Sequence, residues 1–308
     1  MSSSHNFLGS FLLFLLFFGL ALPCFALTPE ARKWNHVPMG ASFAGGTYTY
    51  TEADIFSDPT LSLENVKLEM HTWGGAYIHA FELFDKSARI DIQQGYQKGK
   101  WTGLLDGKPG SATRSGWSDT FVRFAVNLYG APPLSGEEFA AYRSKIEDET
   151  IVGVGLVVRL PTGHYLEDKP VNLGQNRFAF RPQVGVVHTF GKWTAEVNAE
   201  AAFYTENDEF FDGNTLEQKP MYRATVHALR TFSPGQWVGV GIGYEFGGEY
   251  TLNGVDKDDK KKNIGWALAY RHPITRQIGI KVRYIGIRAK ALTGSDSEEL
   301  AVSVAFAW

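Results

Sequence analysis

Beyond residue 26, apolar side chains fall mainly at every second position, the period of a β-strand with one greasy face. The clearest case is Leu300 to Trp308. There Leu300, Val302, Val304, Phe306 and Trp308 share one face, and Ala301, Ser303, Ala305 and Ala307 the other. Large apolar groups backed by tiny ones suit a strand that shows its big side chains to lipid and its small ones to a lumen.

The same alternation predicts strands near 40–50, 65–82, 87–103, 114–130, 150–162, 175–190, 192–206, 218–232, 235–250, 260–272, 275–288 and 297–308. Many exceed the ordinary strand length of ~5–6 residues and supply the ~9–11 that a tilted membrane crossing needs. Short connections at Phe84-Asp85-Lys86, Gly191, Ser233-Pro234-Gly235 and Pro273-Ile274 alternate with long polar ones at 51–64, 104–113, 163–174, 207–217, 251–259 and 289–296. That alternation is the periplasmic and extracellular asymmetry of outer-membrane barrels, and a secreted β-sandwich has no reason to produce it. The fold expected is all-β: a roughly 12-stranded antiparallel transmembrane β-barrel over residues 40–308, with both termini periplasmic. Residues 131–149 break the rule for a short turn. Ser135 and Glu138 stand at capping-box spacing, and Phe139, Tyr142 and Ile146 recur at helical intervals, so one short periplasmic helix is expected, on the barrel rim or across its mouth.

Phe7 to Leu22 form an apolar run, followed by Pro23-Cys24-Phe25-Ala26 and a polar shift at Thr28-Pro29-Glu30. Residues 1–26 read as a cleaved signal peptide, with Cys24 and Ala26 at the small positions. The n-region carries no Lys or Arg. A retained helix is the main rival, but the run is shorter than the ~20 residues a span requires. Lipidation at Cys24 fits less well after Pro23. With the leader gone, no cysteine remains, so the exported product needs no disulfide. The 33 Gly, 22 Phe, 13 Tyr and 8 Trp, at a mean hydropathy of only -0.18, match a barrel whose apolar residues are dispersed. A net charge of -3 is too small to suggest nucleic acid, and none is expected as a partner.

Lipid-facing charge costs ~2–4 kcal/mol at mid-membrane, which sets which face of each strand turns inward. This places Lys67, Glu69, Arg89, Asp91, Arg123, Arg159, Arg181, Glu196, Glu200, Arg223, Glu245, Arg271, Lys281 and Arg283 on the lumen. From Arg181 to Arg271 the inward charge changes sign from strand to strand, so charges ~4.8 Å apart can pair along the wall. Paired charges either brace a narrow lumen or line a wet pore, and the first reading weighs more. Inward glycines at 239, 241 and 243 leave room for wall curvature, a plug or a solute. Their run lacks the spacing and the helix of a nucleotide fingerprint. Among the histidines, His227, His71 and His79 are candidates for the lumen, His188 for lipid and His164 for a loop. None has an obvious partner serine on an adjacent strand, so no catalytic residues, metal ligands or cofactor are expected. Glu206, Asp208, Glu209 and Asp212 do not match a calcium loop. They and the run Asp256 to Lys262 read first as solvated external charge, with the lysines able to touch lipid phosphates.

Pro161-Thr162-Gly163-His164-Tyr165, Asn172 to Arg177, Gly191-Lys192-Trp193, Asn207 to Phe211, Asn253-Gly254-Val255 and Asp258-Asp259 resemble the MetA-pathway of phenol degradation family. The likeness covers most of the mature chain. It implies a barrel-forming outer-membrane transporter, loosely tied to uptake of aromatic compounds. The terminal Trp308 likewise resembles the signal by which bacterial barrels engage their assembly machinery. The expected function is passive passage of a small, hydrophobic or aromatic solute, with outer-membrane lipid and lipopolysaccharide as surroundings. The competing class is a closed structural or adhesion barrel, with the periplasmic N-terminal segment 27–39 as a plug. An outer-membrane lipid enzyme ranks lower.

Overall fold

The computed structural model describes residues 30–56, 63–105, 107–169 and 171–308; the leader lies outside them. In chain order the elements begin with β1 (Ser42–Phe56), β2 (Leu63–Leu83), β3 (Lys86–Leu105), β4 (Lys108–Trp117), β5 (Thr120–Tyr129), α1 (Gly136–Lys145), β6 (Asp148–Leu160), β7 (Ala179–Phe190) and β8 (Trp193–Tyr204). They continue with β9 (Asn207–Phe210), β10 (Asn214–Gln218), β11 (Met221–Ser233), β12 (Gln236–Gly247), β13 (Tyr250–Leu252), β14 (Val255–Asp256), β15 (Lys261–Pro273), β16 (Ile278–Ala289) and β17 (Gly294–Ala307).

One antiparallel sheet runs in the order β2-β1-β17-β16-β15-β12-β11-β8-β7-β6-β5-β3 and closes through β2 on β3. β4 pairs with the upper half of β3 and β5 with its lower half. The two therefore act as one wall strand broken at Ser118-Asp119, and the barrel has twelve. Both residues at the break are buried, which switches the inward parity from even numbers in β4 to odd numbers in β5.

Closure works because each strand carries a lipid face and a lumen face. Val184, Val197, Val226, Val240, Ile242, Leu268, Leu300 and Val304 all stand exposed on the outside, where lipid would cover them. The faces assigned to Leu300–Trp308 are observed, with Ala301 at 2% exposure against 51% for Leu300. At the periplasmic end, Phe84 and Asp85 take φ of 50° and 56° between paired Leu83 and Lys86. A two-residue hairpin with left-handed central residues matches the twist of the strands it joins.

The outer end departs from the sequence reading. Residues 104–113, expected as a loop, are mostly strand: β3 and β4 pair down to Leu105 and Lys108. Parts of the expected loops 207–217 and 251–259 form a separate four-stranded sheet, β14-β13-β10-β9. The connection 161–178 folds inward, and its Val171 and Leu173 pack with Ala53, Ile55, Val66, Leu68, Met70 and Trp101. The helix α1 forms where the aromatic spacing predicts it, but Ser135 makes no side-chain capping bond.

Candidate functional site: a strap across a charged lumen

β2 is 21 residues long and β3 is 20, about twice a membrane crossing. Above the lipid the outer wall meets water, and the inner wall meets the folded connection 161–178. Charge therefore turns outward there. Lys67 and Glu69, expected on the lumen, are exposed on the outside, while the alternating Leu68 and Met70 are 1% exposed and face in. Lys67 pairs with exposed Asp54, at 3.6 Å. The rule that charge faces the lumen holds only where lipid covers the wall.

Lower down, charged and amide side chains of the wall meet one another inside the barrel. Asp91 receives Arg89 at 2.9 Å and Arg123 at 3.1 Å. Arg123 also donates to Gln183 at 3.1 Å, and Gln183 to Glu200 at 2.6 Å. Arg223 bridges Glu200 and Glu245, and Asn263 donates to Glu245 at 3.0 Å. The belt thus passes from β3 to β15 through neutral amides as well as charges. Arg181 stands 4.0 Å from Glu200. Arg283 pairs with Glu299 at 2.7 Å. Arg159 lies above the belt, 3.6 Å from Asp119. Arg271 does not extend the alternation: it sits at the periplasmic rim and donates to the carbonyl of Gly235 at 2.6 Å.

Inside this wall runs the chain's own N-terminal segment, residues 30–39, here called the strap. Glu30 meets Lys281 at 3.2 Å and Arg283 at 4.0 Å. Burial raises the Glu30 pKa, but Lys281, Arg283 and Lys33 overcome this and hold the carboxyl well below the usual carboxylate range. The Arg32 amide donates to both oxygens of Glu196, at 3.0 and 2.8 Å. Its guanidinium reaches Thr231 and stacks 5.1 Å from the Trp237 ring. Trp34, 2% exposed, donates to Asn198 at 2.6 Å, and Arg123 stacks on its ring at 4.5 Å.

Two inward glycines make space for that indole. A Cβ on Gly185 would lie 1.9 Å from Trp34 Nε1 and one on Gly153 2.2 Å from Cε3. Trp34 is the functional residue that the sequence reading missed; the signal was glycine at neighbouring inward positions of β6 and β7. The singled-out glycines 239 and 241 line a cavity beside Glu30 and Ala31. Gly241 accommodates the His227 ring, which its Cβ would approach to 2.4 Å.

The strap leaves the lumen at His36, whose ring bonds the Pro132 carbonyl at 2.7 Å and lies 3.5 Å from Glu149. Phe139 and Tyr142 of α1 meet the same ring edge-on at 4.9 and 5.3 Å. The helical spacing noted in the sequence thus aims its aromatics at the strap. Two cavities flanking the strap are each about 10 Å³, room for about one water.

The remaining candidates resolve as follows. His71 and His79 face outward, not into the lumen. His71 stacks 6.1 Å from Trp73 and bonds Tyr48 at 2.7 Å in an aromatic girdle. His79 bonds Ser42 at 2.9 Å, a serine partner that the sequence did not reveal. Among the described residues no carboxylate orients His79, and Ser42 is only 5% exposed. His188 is outward, bonded to Thr150, and His164 sits in the inward-folded connection. Glu209 receives Asn176 at 2.9 Å. Lys219 pairs with Glu249 and Asp256 at 2.7 and 2.8 Å, and the Tyr250 amide donates to Asp259 at 2.8 Å. These external charges therefore tie the outer sheet together. Among the described residues, no group of three His, Cys, Asp or Glu side chains could hold a metal ion.

An outer membrane channel from Pseudomonas putida F1 shares this fold, with a TM-score of 0.75 at 20% identity over 91% of this chain and 99% of that one. The transport unit of the autotransporter AIDA-I from Escherichia coli scores 0.49 at 11% identity over 97% of each chain, too low to bear on function. No curated protein matches. The fold is that of an outer-membrane β-barrel. Residues 37–296 match the family described as "Putative MetA-pathway of phenol degradation", and the chain belongs to that family.

Proposed function

We propose that this chain is an outer-membrane conduit for passive passage of a small hydrophobic or aromatic solute, closed at rest by its own strap. The observation that carries this reading is how the strap is held. Glu30, Arg32 and Trp34 are tied by ion pairs and hydrogen bonds to wall side chains, contacts that can exchange with water. The wall is cut back by glycine to receive Trp34. A permanently filled barrel needs no such cradle, because its own side chains could fill the space. The solute class follows the family and the channel fold.

The leader 1–26 would deliver the chain to the periplasm of a Gram-negative cell. Trp308, 57% exposed and stacked on Phe306 at 5.5 Å, would present the assembly signal. The outer wall would lie in lipid and lipopolysaccharide. The barrel would act without catalysis, cofactor or metal.

A closed structural barrel is the second reading, favoured by the water-sized cavities beside the strap. Cells with an otherwise tight outer membrane, with and without this barrel, separate the two. Entry of a labelled monoaromatic such as toluene should be faster with the barrel, while entry of a hydrophilic sugar should change little. Equal toluene entry in both strains would favour the structural barrel.

A further inference from the structure

We propose that the outer third of the lumen holds a binding site for small arene carboxylates, built on Arg159, Arg177 and Lys261. This goes beyond the conduit reading, since such a site would bind its ligand even in a barrel that conducts nothing.

Four inward positions on consecutive wall strands face one another in a row: Phe121 opposite Arg159, Arg159 opposite Ala179, and Ala179 opposite Tyr204. Directly opposed side chains stand ~4.5–5.5 Å apart at Cβ, so two aromatic rings flank a guanidinium. Across the small Ala179, the Arg159 guanidinium stands 5.9 Å from the Tyr204 ring. Arg177 leans over the Tyr204 ring at 4.9 Å and the Tyr250 ring at 5.7 Å. The Lys261 ammonium lies 4.3 Å above the Tyr250 ring. The connection 161–178 roofs the site, pinned where the amides of Gly163 and Gln175 each donate to Asp119 at 3.0 Å.

The two guanidiniums are poorly answered by the protein. Arg177 is 3% exposed; its Nη2 donates to Gln218 at 2.5 Å, and its Nη1 has no partner. Arg159 is 9% exposed, and neither its Nε nor its Nη2 has a hydrogen-bond partner. Among the described residues, no carboxylate lies within 4.0 Å of Arg177 or Lys261, and Asp119 approaches Arg159 only to 3.6 Å. Buried donors are rarely left unpaired, and buried cations need a counter-charge. Arg223, one level deeper, shows the satisfied state, bound to both Glu200 and Glu245.

A carboxylate can take two parallel guanidinium bonds. The rings of Tyr204, Tyr250 and Phe121 would cover the flat apolar body attached to it. A neutral phenol brings a ring of similar shape without the charge the cations require.

The test is isothermal titration of the full barrel in detergent with benzoate, phenol and inorganic phosphate. Benzoate should bind saturably, at least tenfold more tightly than phenol or phosphate. Arg177→Gln should weaken benzoate at least tenfold while leaving the heat-modifiable gel shift of a folded barrel intact. Lys261→Gln, at the mouth, gives the same reading if Arg177→Gln fails to fold. Phenol binding as tightly as benzoate would overturn the role of charge. Phosphate binding as tightly would overturn the role of the rings. Unchanged benzoate affinity in a folded variant would overturn the site.

Discussion

The indole nitrogen of Trp34 donates to the side-chain carbonyl of Asn198 at 2.6 Å, wholly inside the barrel. This bond joins the strap, which precedes β1, to the wall strand β8. Trp34→Ala removes the bond and the buried ring together, a loss on the order of 3–5 kcal/mol that falls on strap docking. Gly185→Ala should act alike from the other side, since its Cβ would stand 1.9 Å from the indole nitrogen and 2.5 Å from the Asn198 oxygen. Both variants should fold as barrels and expose the Arg32-Lys33 bonds to trypsin added from the periplasmic side. Equal protection in wild type and both variants would count against Trp34 as the anchor.

The Glu30 anchor makes a pH prediction. Its side chain keeps 40% of its surface open to the lumen, yet Lys281, Arg283 and Lys33 surround it and outweigh the upward push of burial. A carboxyl whose pKa is depressed on docking stabilises the docked state fully above its free value of about 4.3. Below that value the stabilisation fades, and it is gone once the pH has fallen through the lowered docked value. Glu30 should therefore hold the strap equally well from pH 5 to pH 8. Trypsin protection should be flat over that range in wild type and lower at every pH in Glu30→Gln. Loss of wild-type protection between pH 7 and pH 5 through Glu30 would contradict the assignment.

Charge position decides charge value. Arg223 is the shared partner of two buried carboxylates, one of them Glu245 at 0% exposure. Arg223→Ala strips Glu245 of its ion pair and leaves Glu200 facing Arg181 at 4.0 Å, and should cost about 3–5 kcal/mol in urea unfolding of the refolded barrel. Lys67→Ala breaks only an exposed pair with Asp54 and should change stability by less than about 1 kcal/mol. A comparable cost for the two would mean that Lys67 faces the lumen after all.

The barrel was legible because lipid makes the strand pattern strict: from Arg181 to Glu245 every inward charge follows period two. Lys67 and Glu69 escaped that logic because β2 rises beyond the lipid, where water takes the outer face and Val171 and Leu173 cover the inner one. His71 looked like a lumen residue for the same reason, though it belongs to a girdle of Tyr48 and Trp73. The break at Ser118-Asp119 was hidden because two buried polar residues in succession carry no periodic signature. Trp34 was invisible for another reason. Its partners, Gly153, Gly185 and Asn198, lie more than a hundred residues away, and nothing local to a tryptophan in a polar segment says that it enters a barrel.

Trp308 closes the wall without being buried by it. Its amide and carbonyl both pair with Ser42, at 3.0 and 2.9 Å, while its ring stays 57% exposed. Trp308→Ala keeps both backbone bonds, so refolding into detergent should be unchanged. Assembly in cells should slow several-fold if the ring is read by the assembly machinery, as pulse-chase gel shift would report. Equal slowing in detergent would place the ring's role in the fold itself.

The strap carries the account, and electrical conductance reads it most directly. Single-channel recordings in planar bilayers should compare the barrel with and without residues 30–39. The full chain should be silent or open only in brief events, and the shortened chain should conduct steadily. Steady conductance by the full chain, or silence from both, would contradict a lumen closed by its own strap.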